Sequence, residues 1–173
     1  MSEKTIPTKL NKYNVYNAGN RLLGMGDEVT LPPFPASAET VSGAGVLGEF
    51  DDPTVGYFSN MDIEIPFRVL DEEAVDMLDQ TKAVQLELRG AQQTTTSVGD
   101  IVFRSMRVVV RGRMSEFDPG KAKPANGMET SVKLALVYIL IELEDKPMVE
   151  LDKINEVFKI KGVDVLATIK AMC

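Results

Sequence analysis

Between Met61 and Val69 the residues alternate, with Ile63, Ile65, Phe67 and Val69 on one side and Asp62, Glu64 and Arg68 on the other. A period of two belongs to an extended chain with one covered and one wet face, so the segment predicts a strand. The same pattern sets Val84, Leu86 and Leu88 against Gln85, Glu87 and Arg89. It returns from Val102 to Met114, where Met106, Val108 and Val110 oppose Ser105, Arg107, Arg111 and Arg113. Arg104 interrupts the apolar side, which predicts that this end of the strand lies near a sheet edge. Val132 to Leu143 is almost continuously apolar and rich in β-branched residues, and is too short to cross a bilayer. It predicts a strand buried on both faces, covered by a second layer or by another subunit. At Asp71 the period changes. Asp71 is placed to cap, Glu72 and Glu73 fall in a first turn, and Leu70, Ala74, Met77 and Leu78 share a stripe, predicting a helix through Asp79.

The shorter segments fill in around these. Lys12 to Tyr16, a turn over Asn17 to Asn20, and a return through Arg21 to Leu23 predict a hairpin. Gly90 to Gly99 reads as a polar, threonine-rich connection. Ser115 to Met128 reads as a long one, with turn signals at Asp118-Pro119-Gly120 and Asn126-Gly127. The tail predicts extended Met148 to Leu151, a turn over Asp152 to Asn155, extended Val157 to Ile160, and a short helical end between Asp164 and Met172. With no repeat and no low-complexity linker, residues 1–173 read as a single domain. The expected class is mainly β, a two-layer antiparallel sandwich or barrel with one helix and long inter-strand loops.

Gly43-Ala44-Gly45-Val46-Leu47-Gly48 spells G-x-G-x-x-G, the dinucleotide-binding fingerprint. That motif needs a buried strand before it and a helix after it. Here Pro32, Pro33 and Pro35 precede it, and Pro53 and Gly56 stop any helix behind it. The glycines therefore predict a long surface loop bracketed by Val41 and Phe58, with no cofactor. Glu49, Asp51 and Asp52 lack the spacing of a calcium loop and read as a solvated turn, so no metal is expected.

Composition narrows the functional classes. The formal charge is -7 with a pI near 4.7, and an acidic surface repels nucleic acid. Arg104, Arg107, Arg111 and Arg113 lack interleaved aromatic platforms and read as a solvated or ion-paired strand face. There is no histidine, and the one cysteine is Cys173, which removes the usual general base, thiolate metal sites and disulfides. No catalytic residue is assigned and no enzyme is expected. The N-terminus shows no signal sequence and no stretch long enough to span a membrane, so synthesis and residence in the cytoplasm are expected.

Val29-Thr30-Leu31-Pro32, Ser42-Gly43-Ala44-Gly45, Val108 to Arg113, Val149 to Asn155 and Lys161 to Leu166 carry a resemblance. In that order, over nearly the whole chain, they are similar to the major tail tube proteins of contractile-tailed bacteriophages. Tubes of tail-like bacteriocins and the haemolysin-coregulated tube protein of type VI secretion are similar in structure. The resemblance implies a structural subunit that forms homohexameric rings. The rings stack into a hollow tube inside a contractile sheath, and strands from all six subunits line the channel. It implies the sheath, baseplate hub, tape-measure protein and tail terminator as partners, DNA passing through without specific binding, and a place in the virion tail. It also implies a role for the glycine loop as an inter-ring contact through Gly43, Gly45, Val46, Leu47, Gly48, Phe50, Tyr57 and Phe58. Asp62, Glu64, Arg68, Gln85, Glu87 and Arg89 become candidates for the lumen wall. The alternative is a small carbohydrate- or peptide-binding β-sandwich, which leaves the apolar run and the glycine loop without a purpose.

Overall fold

A computed structural model describes residues 5–173. The elements in chain order are β1 (Thr5–Asn17), β2 (Asn20–Arg21), β3 (Ala36–Ser42), β4 (Glu49–Phe58), β5 (Asp62–Phe67), α1 (Glu72–Asp76), β6 (Val84–Thr96), β7 (Ile101–Asp118), β8 (Thr130–Leu143), β9 (Lys146–Asp152), β10 (Val157–Ile160), β11 (Val163–Asp164) and α2 (Ala167–Lys170). The protein is mainly β, with antiparallel sheets and few helices. Hydrogen bonds join nine strands in the order β11-β10-β9-β8-β7-β6-β1-β2, with β5 paired to β8, while β3 and β4 form a separate two-stranded ribbon.

One face of the large sheet supplies the core. Val15, Leu86, Leu88, Val108, Val110, Ile139 and Leu151 cluster with Ile63, Ile65, Phe67, Val132 and Leu134. Leu22 from the segment after β2, Ala74 of α1 and Met77 at its C-terminal cap belong to the same cluster, and Met25, Val29 and Phe34 pack against it. Asp71 caps α1 by accepting a hydrogen bond from the Glu72 N–H at 2.8 Å, and the two acids of the first turn face the positive end of the helix.

Several expectations change on contact with this architecture. β8 is not buried on both faces. Between the pairs Arg111–Tyr138 and Gly112–Leu136 the strand carries one extra residue, Val137. That bulge switches the parity. Val132, Leu134 and Leu136 reach the core before it and Ile139 after it, so apolar residues of both parities serve one core while Ala135 stays exposed. The strand expected over Met61 to Val69 ends at Phe67, which puts Arg68 and Val69 in a bend, and Leu70 is exposed rather than part of the helix stripe. Gly90 to Thr96 is a continuation of β6 rather than a connection, with Thr94 and Thr96 buried. β7 runs on to Asp118, which shortens the following connection. The glycine loop is a hairpin: β3 and β4 pair from Ser42–Glu49 to Ala38–Pro53, and Gly43 to Gly48 form only its tip. Pro53 is tolerated because β4 is an edge strand.

Candidate assembly surfaces

The ribbon is fixed at its root and free at its tip. At the root, Phe58 packs edge-on against Phe34 and Phe158, with ring centroids 5.9 and 5.1 Å apart. The Ser59 N–H donates to the Pro35 carbonyl at 2.9 Å, and Lys153 Nζ donates to the Ser59 carbonyl at 2.7 Å. Gly56 adopts φ +78° where β4 bulges, and a Cβ there would stand 2.6 Å from Leu166 Cδ2, so the chain passes close over the Leu166 side chain. At the tip, Gly43, Gly45 and Gly48 hold φ values of +145°, +94° and +97°, which favour glycine. Of the apolar residues assigned to this segment, Val46, Leu47, Phe50 and Tyr57 are exposed, and Phe58 is spent inside its own subunit. Glu49 and Asp51 share one ribbon face and Asp52 takes the other, by the register of the strands. Asp51 accepts a hydrogen bond from Thr40 Oγ1 at 2.8 Å.

The second surface is the face of the large sheet turned away from the core. Gln85, Glu87 and Arg89 lie on it, in rows with Arg111, Val109 and Arg107 of β7. Asp62 and Glu64 share it through their partners Ala135 and Lys133 on β8. Arg68 does not, because it sits past the end of β5 and reaches Asp27 at 3.5 Å. Glu87 is the hub of an ion-pair ladder: Arg89 Nε approaches Oε1 at 2.7 Å, Arg107 Nε reaches the same oxygen, and Arg107 Nη1 continues to Glu142 Oε2 at 2.8 Å. The hydrogen bond from Arg89, helped by Arg107, holds the Glu87 carboxyl below its ordinary range despite partial burial. Arg89 also stacks over Tyr16, and Arg111 over Tyr138, each 4.7 Å from the ring centroid. The two carboxylates and two guanidiniums of the ladder cancel, and Arg111 stands beside it as a further positive charge.

A third surface escaped the sequence reading. β1, β6 and β7 run on together beyond β8, because β8 pairs with β7 only as far as Met106. The resulting extension exposes Ile6, Leu10, Val98, Ile101, Val102 and Phe103. Arg104 stands on this part of β7, where β6 is its one neighbour, and donates to Gln92 Oε1 at 3.2 Å. The signal available in the sequence was the Thr94-Thr95-Thr96 run, since threonine is a strand former as well as a loop residue.

A sheet with a projecting ribbon and an apolar extension, both uncovered in the isolated subunit, describes a protein built to be covered by copies or partners. Comparison with known proteins gives the particular class. The model of the phage tail tube protein FII family matches residues 7–172, so the chain belongs to that family. It is 30% identical to the tail tube protein of Escherichia phage P2, over 93% of this chain and 94% of that one. It is 26% identical to the major tail tube protein of Serratia phage KSP20, over 91% and 90%. The chain is thus a structural subunit of a phage tail tube, a component of the virion tail that polymerises with itself and meets other tail proteins. Among the described residues, no helix is long and apolar enough to cross a membrane.

Proposed function

We propose that the subunit closes into homohexameric rings that stack into a hollow tube within a contractile sheath. The tube conducts DNA, or in a headless tail-like particle serves membrane puncture. The ribbon carries this reading: a hairpin fixed at its root by Phe34, Phe58 and Phe158 projects Val46, Leu47, Phe50 and Tyr57 into solvent. Burying such residues is worth about 1.5–3 kcal/mol each, enough to hold rings together when repeated around a ring. The ladder face, with Asp62, Glu64, Gln85, Glu87 and Arg89, is assigned to the lumen. Arg89 and Arg107 on this face are held by Glu87 and Glu142, so neither of these guanidiniums is free to retain a passing phosphate. The tail sheath, baseplate hub, tape-measure protein and tail terminator are the remaining partners.

The test is Val46→Asp and Leu47→Asp, each assayed for polymerisation by light scattering. Both side chains stand clear of the subunit core, so the subunit should melt as the wild type does while polymerisation is lost. Tubes formed as readily by both variants would reject the role of the tip.

A further inference from the structure

The ribbon and the extension are complementary. Strand register places Val41 and Phe50 on one ribbon face with Glu39 and Asp52. The register of β1, β6 and β7 places Ile6, Ile101 and Phe103 on one face of the extension with Lys9 and Lys12. Each surface is an apolar patch flanked by two like charges, and the signs are opposite. Phe50, Ile6, Ile101 and Phe103 are each more than half exposed, and Glu39, Asp52, Lys9 and Lys12 are all exposed. Among the described residues, none of these four charges enters an ion pair within the subunit. From Leu22 to Phe67 the sequence holds no lysine or arginine, so nothing on the ribbon itself offsets its acids.

We propose that the Glu39–Val41–Phe50–Asp52 face of the ribbon docks on the Ile6–Lys9–Lys12–Phe103 face of a second copy. The contact is between copies because the ribbon root packs on β10, near one end of the strand order, while β1 lies near the other. A pairing of two different surfaces is heterologous, so each subunit that offers its ribbon still has its extension open to the next. Such a contact propagates, as a tube requires. Desolvating the apolar patches supplies the affinity, and the charges fix the register and exclude the ribbon from pairing with another ribbon.

This proposal rests on the tube reading, and a charge swap separates the two. Three variants are purified and their critical concentration for polymerisation is measured: Glu39→Lys with Asp52→Lys, Lys9→Glu with Lys12→Glu, and all four together. Thermal melts of the dispersed subunits confirm that each is folded, since all four side chains are exposed. Each double variant should raise the critical concentration about ten-fold or more, because attraction at two pairs becomes repulsion. The quadruple variant should return most of the way to wild type. Polymerisation of either double variant at the wild-type concentration, or a folded quadruple variant no better than the doubles, overturns the pairing and leaves the tube reading intact. Failure of the wild type itself to polymerise, even with baseplate added to nucleate growth, overturns both.

Discussion

Gly112 is the position where the close approach of β7 and β8 is most demanding, and replacing it with alanine gives a clean prediction. Its φ is not in the left-handed region, so alanine is conformationally acceptable and in a strand would otherwise be favoured over glycine. Space decides the sign. A Cβ on Gly112 would lie 2.3 Å from the Ala135 carbonyl oxygen and 2.9 Å from the carbonyl carbon, and ordinary contact begins at 3.4 Å. The obstacle is backbone, which cannot rotate away, so the strands must part by about 1 Å beside the Val137 bulge. Leu136 and Val110 are buried next to this point and must move with them. Overpacking costs about 1–3 kcal/mol, and weakening a ladder hydrogen bond adds about 1 kcal/mol, so Gly112→Ala should lose about 3 kcal/mol. For a chain of this length the Tm of the dispersed subunit should fall by roughly 6–12 °C. Urea unfolding at neutral pH measures it. A loss under about 0.5 kcal/mol would refute the steric argument, since it would mean the sheet opens at that point without cost.

Three other perturbations follow from the same geometry. Gly56→Ala should cost about 1–2 kcal/mol from its φ of +78°, while the Leu166 side chain can turn aside. Amide exchange should rise over Thr54 to Tyr57 and in α2, and unchanged exchange there would show that the ribbon root is not held at this contact. Asp152 accepts hydrogen bonds from the Ile154 and Asn155 backbone N–H groups and from Asn155 Nδ2 at 2.8–3.0 Å. Burial pushes its carboxyl up, but these bonds outweigh it and leave the pKa below the ordinary value. A depressed pKa contributes stability above the unfolded-state value that disappears as pH falls through the folded-state one. Asp152→Asn should therefore cost about 1–2 kcal/mol at pH 7, and the gap to wild type should close in acid. A gap independent of pH would contradict the assignment. Arg107→Gln removes the bridge between Glu87 and Glu142, so the Glu87 carboxyl should titrate at higher pH by NMR, and an unmoved titration would show that Arg89 alone sets it.

The alternating segments were legible because each has one buried face: Ile63, Ile65, Leu86, Leu88, Val108 and Val110 all reach the core as their period implies. The turn at Asn17 to Asn20 and the one closed by Asp152 were legible from their own chemistry, with Ala18 and Gly19 at positive φ and the Asp152 carboxylate gathering backbone N–H groups. What failed were the places where local signals conflict with pairing. A bulge at Val137 makes a one-sided strand look two-sided. Threonines in β6 look like a loop until a register with β1 and β7 is known. Pro53 and Gly56 look like breakers until the segment is seen to be an edge strand with a bulge. The candidate surfaces divide the same way. The ribbon tip was marked by glycines within a run of apolar residues, whereas the extension depends on three distant segments coming together, and no single segment announces it.

Negative-stain electron microscopy of the purified protein across a concentration series, with light-scattering mass alongside, tests the central claim most directly. The account predicts rings or hollow tubes with six-fold end views above a critical concentration. A monodisperse monomer at every concentration, persisting when baseplate is added to nucleate growth, would contradict it.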